Sequence, residues 1–153
     1  MIVADSTVLV ALSLIGQAEL MRRLFGKVMV SSATIEEMRN MLAALAPGCQ
    51  GPSEDGLSVV AVDVPAPAMS ISESETMEVC RREQAKLLVS DDAVVRREAR
   101  KGGINCIGTL GVLYAASGRG LLTDLSDPLA RLRAAGCAVS PVCEEMLLKR
   151  AAQ

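Results

Sequence analysis

Carboxylates that directly follow short apolar runs are the residues of this sequence best suited to chemistry. Asp5 follows the run Met-Ile-Val-Ala, and the pair Asp91 and Asp92 follows Leu-Leu-Val-Ser. Short apolar runs that alternate with helical segments are typical of buried parallel strands, and ligands bind beyond the carboxyl ends of such strands. The positions of these acids therefore predict an acidic site at one edge of a sheet.

Two pairs of glutamates are predicted to reach the same edge from the beginnings of helices. Glu36 and Glu37 lie early in the helix expected after the second strand, and Glu73 and Glu75 lie in the first turn of the helix expected after the third. Acidic residues are also common at helix N-termini because they cap the helix or complement its dipole. That structural role explains any single acid equally well, so the prediction depends on the convergence of separate segments.

Local capping patterns accompany some of these acids. The segment from Ser72 to Glu75 is typical of a capping box in which Ser72 caps the helix and Glu75 reaches back. The segment Thr34-Ile-Glu-Glu37 fits the same pattern, and Ser6 and Thr7 are expected to cap the first helix.

An oxygen-ligated divalent metal is the chemistry that such a site favours. Carboxylates crowded together would partly protonate at neutral pH, and a bound cation removes that penalty. Mg²⁺ and Mn²⁺ prefer oxygen ligands, and such ions activate water and clamp phosphates. The sequence contains no His, which excludes His-ligated zinc, His general bases and Ser-His-Asp or Cys-His catalysis. We therefore expect Mg²⁺ or Mn²⁺ as the cofactor.

Hydroxyl and basic side chains complete the set of candidates. Ser6 and Thr109 are expected to support the carboxylates or a metal-bound water, or simply to cap helices. Arg96, Arg97 and Arg100 follow the paired aspartates on one helix, where they are predicted to bind the phosphates of a nucleic acid. A solvated helix face is the alternative explanation for these arginines.

The composition argues against several other classes of protein. Phe25 and Tyr114 are the only aromatic residues, so the chain lacks the stacking surface with which many modules read single-stranded RNA. The formal net charge of -2 predicts weak binding to nucleic acid without metal. No Gly-rich phosphate loop is present, which argues against a nucleotide triphosphatase or a dinucleotide enzyme.

Cysteine spacing and hydropathy indicate the cellular compartment in which the protein is expected. The five Cys form no Cys-x-x-Cys motif, and no secretory signal or membrane-spanning apolar run is recognisable. These features favour a cytoplasmic protein with reduced thiols and no membrane partner.

The alternation of apolar and amphipathic segments predicts a single α/β domain over residues 1–153, with a central parallel sheet covered by helices on both faces. Strands are predicted at residues 1–5, 27–30, 57–64, 86–90 and 104–107, the third of them closed by Pro65 and Pro67. Helices are predicted at residues 8–22 with a possible break at Gly16, and at 33–45, 72–84, 93–101, 109–117, 126–135 and 142–151. Strands one and four should be neighbours at the switch point of such a sheet, which would place Asp5 near Asp91 or Asp92.

The order of these motifs resembles the PIN domain. Residues 2–7 are similar to its opening strand, which ends in a metal-binding Asp followed by a hydroxyl residue. Residues 31–38 are similar to its second acidic motif, in which Glu37 is the better match because it directly precedes an apolar residue. Residues 87–92 are similar to its late strand followed by paired aspartates.

Further segments resemble one poorly characterised branch of PIN-like proteins. Residues 107–113 (Ile-Gly-Thr-Leu-Gly-Val-Leu) are similar to a signature of that branch, many of whose members neighbour toxin–antitoxin genes. The branch usually carries Gly-Glu-x-Glu at the third acidic position, where this chain has Ser72-Glu73-Ser74-Glu75. Both acids are therefore kept while the Gly is replaced, and which of the two faces the metal stays open.

The resemblance implies a three-layer PIN-like fold with a sheet of about four to five strands, and metal-dependent cleavage of RNA. It also implies a homodimer, and an antitoxin protein as partner if the chain is the toxin of a toxin–antitoxin pair. The residues matched to the family's catalytic acids are Asp5, Glu37 and Asp91, with Glu73 or Glu75 completing the metal ligands and Asp92 supporting or sharing the metal.

Two alternatives to a ribonuclease stay open. The negative net charge and the altered third acidic motif are compatible with a PIN-like domain that binds nucleic acid or protein without catalysis. A receiver-like phosphoacceptor also uses an Asp cluster with Mg²⁺, but it would need paired acids after strand one and a Lys after strand five, and neither is present.

Overall fold

Five parallel strands form the sheet that carries the candidate site, in a computed structural model that describes residues 1–64, 69–137 and 139–151. The strands are β1 (Ile2–Ala4), β2 (Val28–Ser31), β3 (Leu57–Val60), β4 (Leu87–Val89) and β5 (Asn105–Ile107). Their spatial order is β3-β2-β1-β4-β5. The predicted parallel sheet and the adjacency of strands one and four are therefore confirmed.

The third strand is shorter than predicted because its neighbour ends. Val60 pairs with Ser31, the last residue of β2, and the chain of β2 turns into a helix at the next residue. The backbone after Val60 therefore has no ladder partner on that side, although the sequence is still apolar. Pro65 and Pro67, which were expected to close this strand, lie outside the described residues.

Eight helices surround the sheet within the part of the chain that is described. They are α1 (Ser6–Leu14), α2 (Leu20–Phe25), α3 (Ser32–Leu45), α4 (Ile71–Arg82), α5 (Ala93–Lys101), α6 (Thr109–Gly118), α7 (Ser126–Ala134) and α8 (Pro141–Ala151), and a 3₁₀ turn covers Glu54–Gly56. None of these helices combines the length and the hydropathy needed to cross a bilayer.

Alternate residues of the strands divide the core into two layers. Val3 and Leu88 pack with α4 and α5 on one face, whereas Ala4 and Val89 pack with α1, α3, α6 and α7 on the other. This alternation is the two-residue period of a strand buried on both sides. The result is the three-layer arrangement predicted from the sequence.

The predicted break at Gly16 is confirmed, because α1 ends before this residue and α2 begins after it. Gly16 has φ of 75°, in the left-handed region that glycine adopts without a steric penalty. The first helix, α1, begins at Ser6 with Asp5 as its N-cap, so the prediction that Ser6 or Thr7 caps it is wrong. Asp5 is the N-cap because its carboxylate accepts a hydrogen bond from the amide of Thr7.

The N-caps of α3 and α4 also lie closer to the N-terminus than predicted, and only α4 has a capping box. The N-cap of α4 is Ser70, which forms a complete capping box with Glu73 rather than the predicted box of Ser72 with Glu75. The N-cap of α3 is Ser31, whose hydroxyl accepts a hydrogen bond from the amide of Thr34, so Thr34 is not a cap. In each case a second hydroxyl residue lies upstream, and it is the one at which the chain leaves its extended conformation.

Candidate metal site

Asp5 lies at the centre of the acidic edge, at the junction of β1 and α1. Its residue surface is 4% exposed. Its Oδ1 accepts hydrogen bonds from the amide of Thr7 at 3.1 Å and from the hydroxyl of Thr7 at 2.6 Å. Its Oδ2 accepts a hydrogen bond from the hydroxyl of Ser90, which follows β4. The sheet itself sets this arrangement, because the amide of Asp5 donates to the carbonyl of Val89 at 3.1 Å.

Burial destabilises the ionised form of Asp5. Loss of hydration raises the pKa of its carboxyl from 3.8 to about 6, even though the hydrogen bonds from Ser90, Thr7 and Val8 act in the opposite direction. No Lys or Arg forms an ion pair with Asp5 in the described parts of the chain. Asp5 is therefore a buried carboxylate whose charge is held by neutral donors alone.

Ser90 connects Asp5 to Asp92. Its hydroxyl donates to Asp5 and accepts a hydrogen bond from the amide of Asp92 at 3.0 Å. Asp92 is the N-cap of α5, and its Oδ1 accepts from the amides of Val94 at 2.8 Å and Val95 at 3.1 Å. Both capping bonds use Oδ1, so the cap leaves the other oxygen of Asp92 available for a cation.

Glu73 lies near Asp92 and Glu37, each of which comes from a different helix. The Oε1 of Glu37, on α3, accepts a hydrogen bond from the hydroxyl of Ser6 at 2.8 Å. The pKa of Glu73, on α4, is raised first by partial burial, then by the neighbouring carboxylate of Asp92 and by Glu37. Glu73 thus lies near two other carboxylates, and Ser90 links one of them, Asp92, to buried Asp5.

Glu75 has a different position from Glu73. Its Oε2 accepts a hydrogen bond from the amide of Ala33 at 2.9 Å, so it satisfies a donor in the first turn of α3. Glu73 is the capping-box residue of α4, and it is the member of the pair that faces Asp92 and Glu37. Glu36 is exposed.

The carboxylate of Asp91 points toward the beginning of α6. Its Oδ1 accepts from the amide of Thr109 at 2.8 Å and its Oδ2 accepts from the hydroxyl of Thr109 at 2.5 Å. Its amide donates to the hydroxyl of Thr7 at 2.9 Å, so Thr7 bridges Asp91 and Asp5. Both carboxylate oxygens of Asp91 are therefore occupied by Thr109.

The three candidate arginines are placed differently along α5. The guanidinium of Arg96 turns back and donates to the carbonyl of Ser90 at 3.3 Å, beside Asp91. Arg97 and Arg100 are exposed, and Arg97 lies 3.9 Å from the carboxylate of Glu98. No ion pair in the described segments joins these arginines to the acids of the site.

Some residues that shape the site were not singled out from the sequence. Thr7 bridges the two aspartates, although the sequence indicated only a helix cap. Its spacing two residues after Asp5 is that of an Asx-turn, and this signal was available. Gly108 leaves room for two neighbouring side chains, because a Cβ there would overlap Oδ1 of Asp91 and lie 2.9 Å from Nη1 of Arg96. No pattern in a single sequence reveals such a close approach.

The donor set fits Mg²⁺ or Mn²⁺ in its chemistry. Every candidate ligand is a carboxylate or hydroxyl oxygen, and none of the candidate acids forms an ion pair within the described residues. Among those same residues, no three Asp, Glu or Cys side chains converge closely enough to form a preassembled ligand group. The side chains are instead turned toward the hydroxyl and amide partners described above.

Comparison with known proteins identifies the family. No curated protein and no solved structure is significantly similar to the chain. The sequence profile of the PIN domain matches residues 1–153, the whole chain. The five-stranded parallel sheet between two helical layers agrees with that match. The chain therefore belongs to the PIN-domain family, whose fold is of the nuclease type.

Proposed function

We propose that this chain is a ribonuclease that hydrolyses phosphodiester bonds in RNA and depends on Mg²⁺ or Mn²⁺. One observation carries the proposal: Asp5, Glu37, Glu73 and Asp92 lie along the carboxyl edge of the sheet, where Ser90 links Asp5 to Asp92 and Glu73 lies near Asp92 and Glu37, and none of the four forms an ion pair in the described residues. Membership of a family with a nuclease-type fold supports the same conclusion.

These four acids would hold the metal, which when bound supplies an activated water and stabilises the charge on the phosphate. Asp5 supplies the buried carboxylate, which the hydroxyls of Thr7 and Ser90 orient. Glu37 is oriented by the hydroxyl of Ser6, and Asp92 by its role as helix cap. The elevated pKa of Asp5 means that a cation competes with a proton at this site, so metal binding should weaken as the pH falls.

Asp91 and Glu75 are positioning residues in this proposal. Asp91 fixes the beginning of α6 through Thr109, and Glu75 fixes the first turn of α3, the helix that carries Glu37. Thr109 thus supports Asp91 rather than the metal directly. We assign Asp91 to this role because the partner of its carboxylate lies on α6, whereas Ser90 links Asp5 to Asp92.

The arginines of α5 are the proposed contact for RNA. Arg96 lies at the acidic edge, while Arg97 and Arg100 present exposed guanidinium groups from the same helix. Positive groups beside an acidic, metal-dependent centre would hold the backbone of the substrate while the cation screens the carboxylates.

A homodimer is part of the proposal, and exposed apolar groups on the last helices support it. Tyr114 on α6 is 42% exposed, and Val142 and Met146 on α8 are 66% and 49% exposed. Together they form an apolar surface of the kind that subunit interfaces cover. A molecular mass of one subunit by light scattering across the micromolar concentration range would contradict this part.

The toxin of a toxin–antitoxin pair is the specific form of the proposal. It rests on the resemblance of residues 107–113 to a branch whose members neighbour such genes. Induced expression of the wild-type chain should then arrest growth, and expression of Asp5→Asn should not.

The test of the proposed activity is cleavage of a mixed RNA pool and of matched single-stranded DNA by metal-stripped protein supplied with Mg²⁺ or Mn²⁺. Asp5→Asn removes the central carboxylate charge at nearly constant volume, and Glu36→Gln is the matched control at an exposed acid. We expect cleavage of RNA by wild type and Glu36→Gln and none by Asp5→Asn. Equal cleavage by all three proteins, or none by wild type, would refute the proposal, and the latter would favour a non-catalytic PIN-like domain.

A further inference from the structure

A cleft lies beside the acidic site, across the carboxyl end of β5. Its volume is about 610 Å³, within the range of small-molecule sites. Its walls come from α1, α5, the start of α6, the end of α7 and the segment that follows α7. None of the four proposed metal-binding acids lines it.

One residue joins this cleft to the proposed metal site. Thr7 lines the cleft, and its hydroxyl donates to Asp5 at 2.6 Å while accepting from the amide of Asp91 at 2.9 Å. Asp91 also lines the cleft. The side chain of Thr7 therefore contacts both the cleft and the central carboxylate.

The lining of the cleft combines aliphatic and polar side chains. Leu110, Leu132 and Val139 are among the aliphatic residues that line it. The polar residues of the lining include Arg96, Thr109 and Asp91, whose carboxylate is held by Thr109. This combination suits a flat heterocycle that packs between aliphatic side chains and carries an anionic group within reach of an arginine.

Arg96 is suited to hold that anion. Its Nη1 makes one hydrogen bond, to the carbonyl of Ser90, and no ion pair in the described chain involves it. A guanidinium has five N–H donors, so most of them are left for a ligand. The absence of a side chain at Gly108 makes room for this group, because a Cβ there would lie 2.9 Å from Nη1.

We propose that this cleft binds one nucleotide of the substrate, the one adjacent to the phosphodiester bond that is cut. The nucleobase occupies the aliphatic part, and Arg96 contacts the phosphate of the same nucleotide. The inference rests on the proposed function in that it takes the substrate to be a polynucleotide. Aliphatic packing replaces the aromatic stacking that the composition does not permit.

Protection of a cysteine from alkylation tests binding without relying on activity. Cys137 lines the cleft and is partly exposed, whereas Cys143 is exposed elsewhere and serves as the internal control. Metal-free protein is treated with iodoacetamide, with or without millimolar nucleoside 5′-monophosphates, and both sites are followed by mass spectrometry. We expect the nucleotides to slow alkylation of Cys137 but not of Cys143.

Two pairs of variants locate the ligand. Arg96→Gln should raise the apparent dissociation constant about tenfold or more, the effect of losing a charge-assisted contact, whereas Lys101→Gln at the exposed end of the same helix should leave it unchanged. Val139→Trp should fill the cleft and abolish protection, whereas Val139→Ala should preserve it.

The outcomes separate this inference from the proposed activity. Equal protection by inorganic phosphate alone, or no protection by any nucleotide, would overturn the nucleotide site even if wild type cleaves RNA. Protection that follows the variants as described would sustain the site even if no cleavage is found. In an active protein, Val139→Trp should also raise KM for short oligonucleotides.

Discussion

The stability of Asp5→Asn as a function of pH follows directly from the burial of Asp5. The difference between a pKa of 3.8 and one of about 6 corresponds to about 3 kcal/mol, at about 1.36 kcal/mol per pH unit. Because the pKa is raised by folding, the protonated native state is favoured below about pH 4. The stabilisation is lost as the pH rises from about 4 to about 6, and it stays lost above that range.

The substitution to Asn removes the contribution of this ionisation to the free energy of unfolding. Asn can still accept both hydrogen bonds from Thr7 at Oδ1, but its amide group must face the hydroxyl of Ser90, which already accepts from Asp92. Loss of the donated bond from Ser90 costs about 1 kcal/mol. Without metal, we therefore expect Asp5→Asn to be less stable than wild type by about 1 kcal/mol near pH 4, and more stable by about 2 kcal/mol near pH 7.

Urea unfolding in the presence of a chelator, at several values between about pH 4 and about pH 7.5, measures this difference. Contributions from Glu73 and other acids are common to both proteins and largely cancel in the comparison. Glu36→Gln, at an exposed position, should differ from wild type by less than about 0.5 kcal/mol. A stability difference between wild type and Asp5→Asn that does not change with pH would show that the charge of Asp5 is not desolvated, and would refute the reasoning.

Further predictions concern the metal, a glycine and a cap. Mn²⁺ at about 100 times its dissociation constant should stabilise wild type by about 2.7 kcal/mol in thermal unfolding, and equal stabilisation of Asp5→Asn would contradict the assignment of the site. Gly108→Ala should destabilise by about 1–3 kcal/mol in urea unfolding, because its Cβ would overlap the carboxylate of Asp91, and an unchanged midpoint would mean that Asp91 lies elsewhere. Ser70→Ala should cost about 1 kcal/mol by loss of the α4 capping box, and a negligible effect would restore Ser72 as the cap.

Much of the fold was predictable because it depends on local patterns. The apolar run Leu87–Val89 forms a strand as predicted. The apolar residues Ile35, Met38 and Leu42, spaced three to four apart, lie in a helix as predicted. Both patterns depend only on which residues avoid water. The strand ends were harder to predict, because a strand stops when its neighbour stops. Val60 is the last paired residue of β3 for this reason, and its own side chain carries no such information.

The placement of these acids at one edge of the sheet was predictable, since Asp5 follows β1 and the pair Asp91 and Asp92 comes shortly after β4, the neighbouring strand. The direction of each carboxylate was not. Asp91 and Asp92 are adjacent in sequence, yet one turns to α6 and the other caps α5, because the amides and hydroxyls that compete for them come from different helices.

The choice between Glu73 and Glu75 shows the same division. Their order along the chain allowed either to cap α4 or to face the site. Ser70 begins the helix, which makes Glu73 its capping partner, and the packing of α4 against α3 brings Glu75 to the amide of Ala33. The sequence by itself determined which functional groups and which helices and strands are available, because residue types and hydrophobic periodicity are local properties. Only the tertiary structure decided which acids face one another, because competition for hydrogen-bond donors is settled between segments distant in the chain.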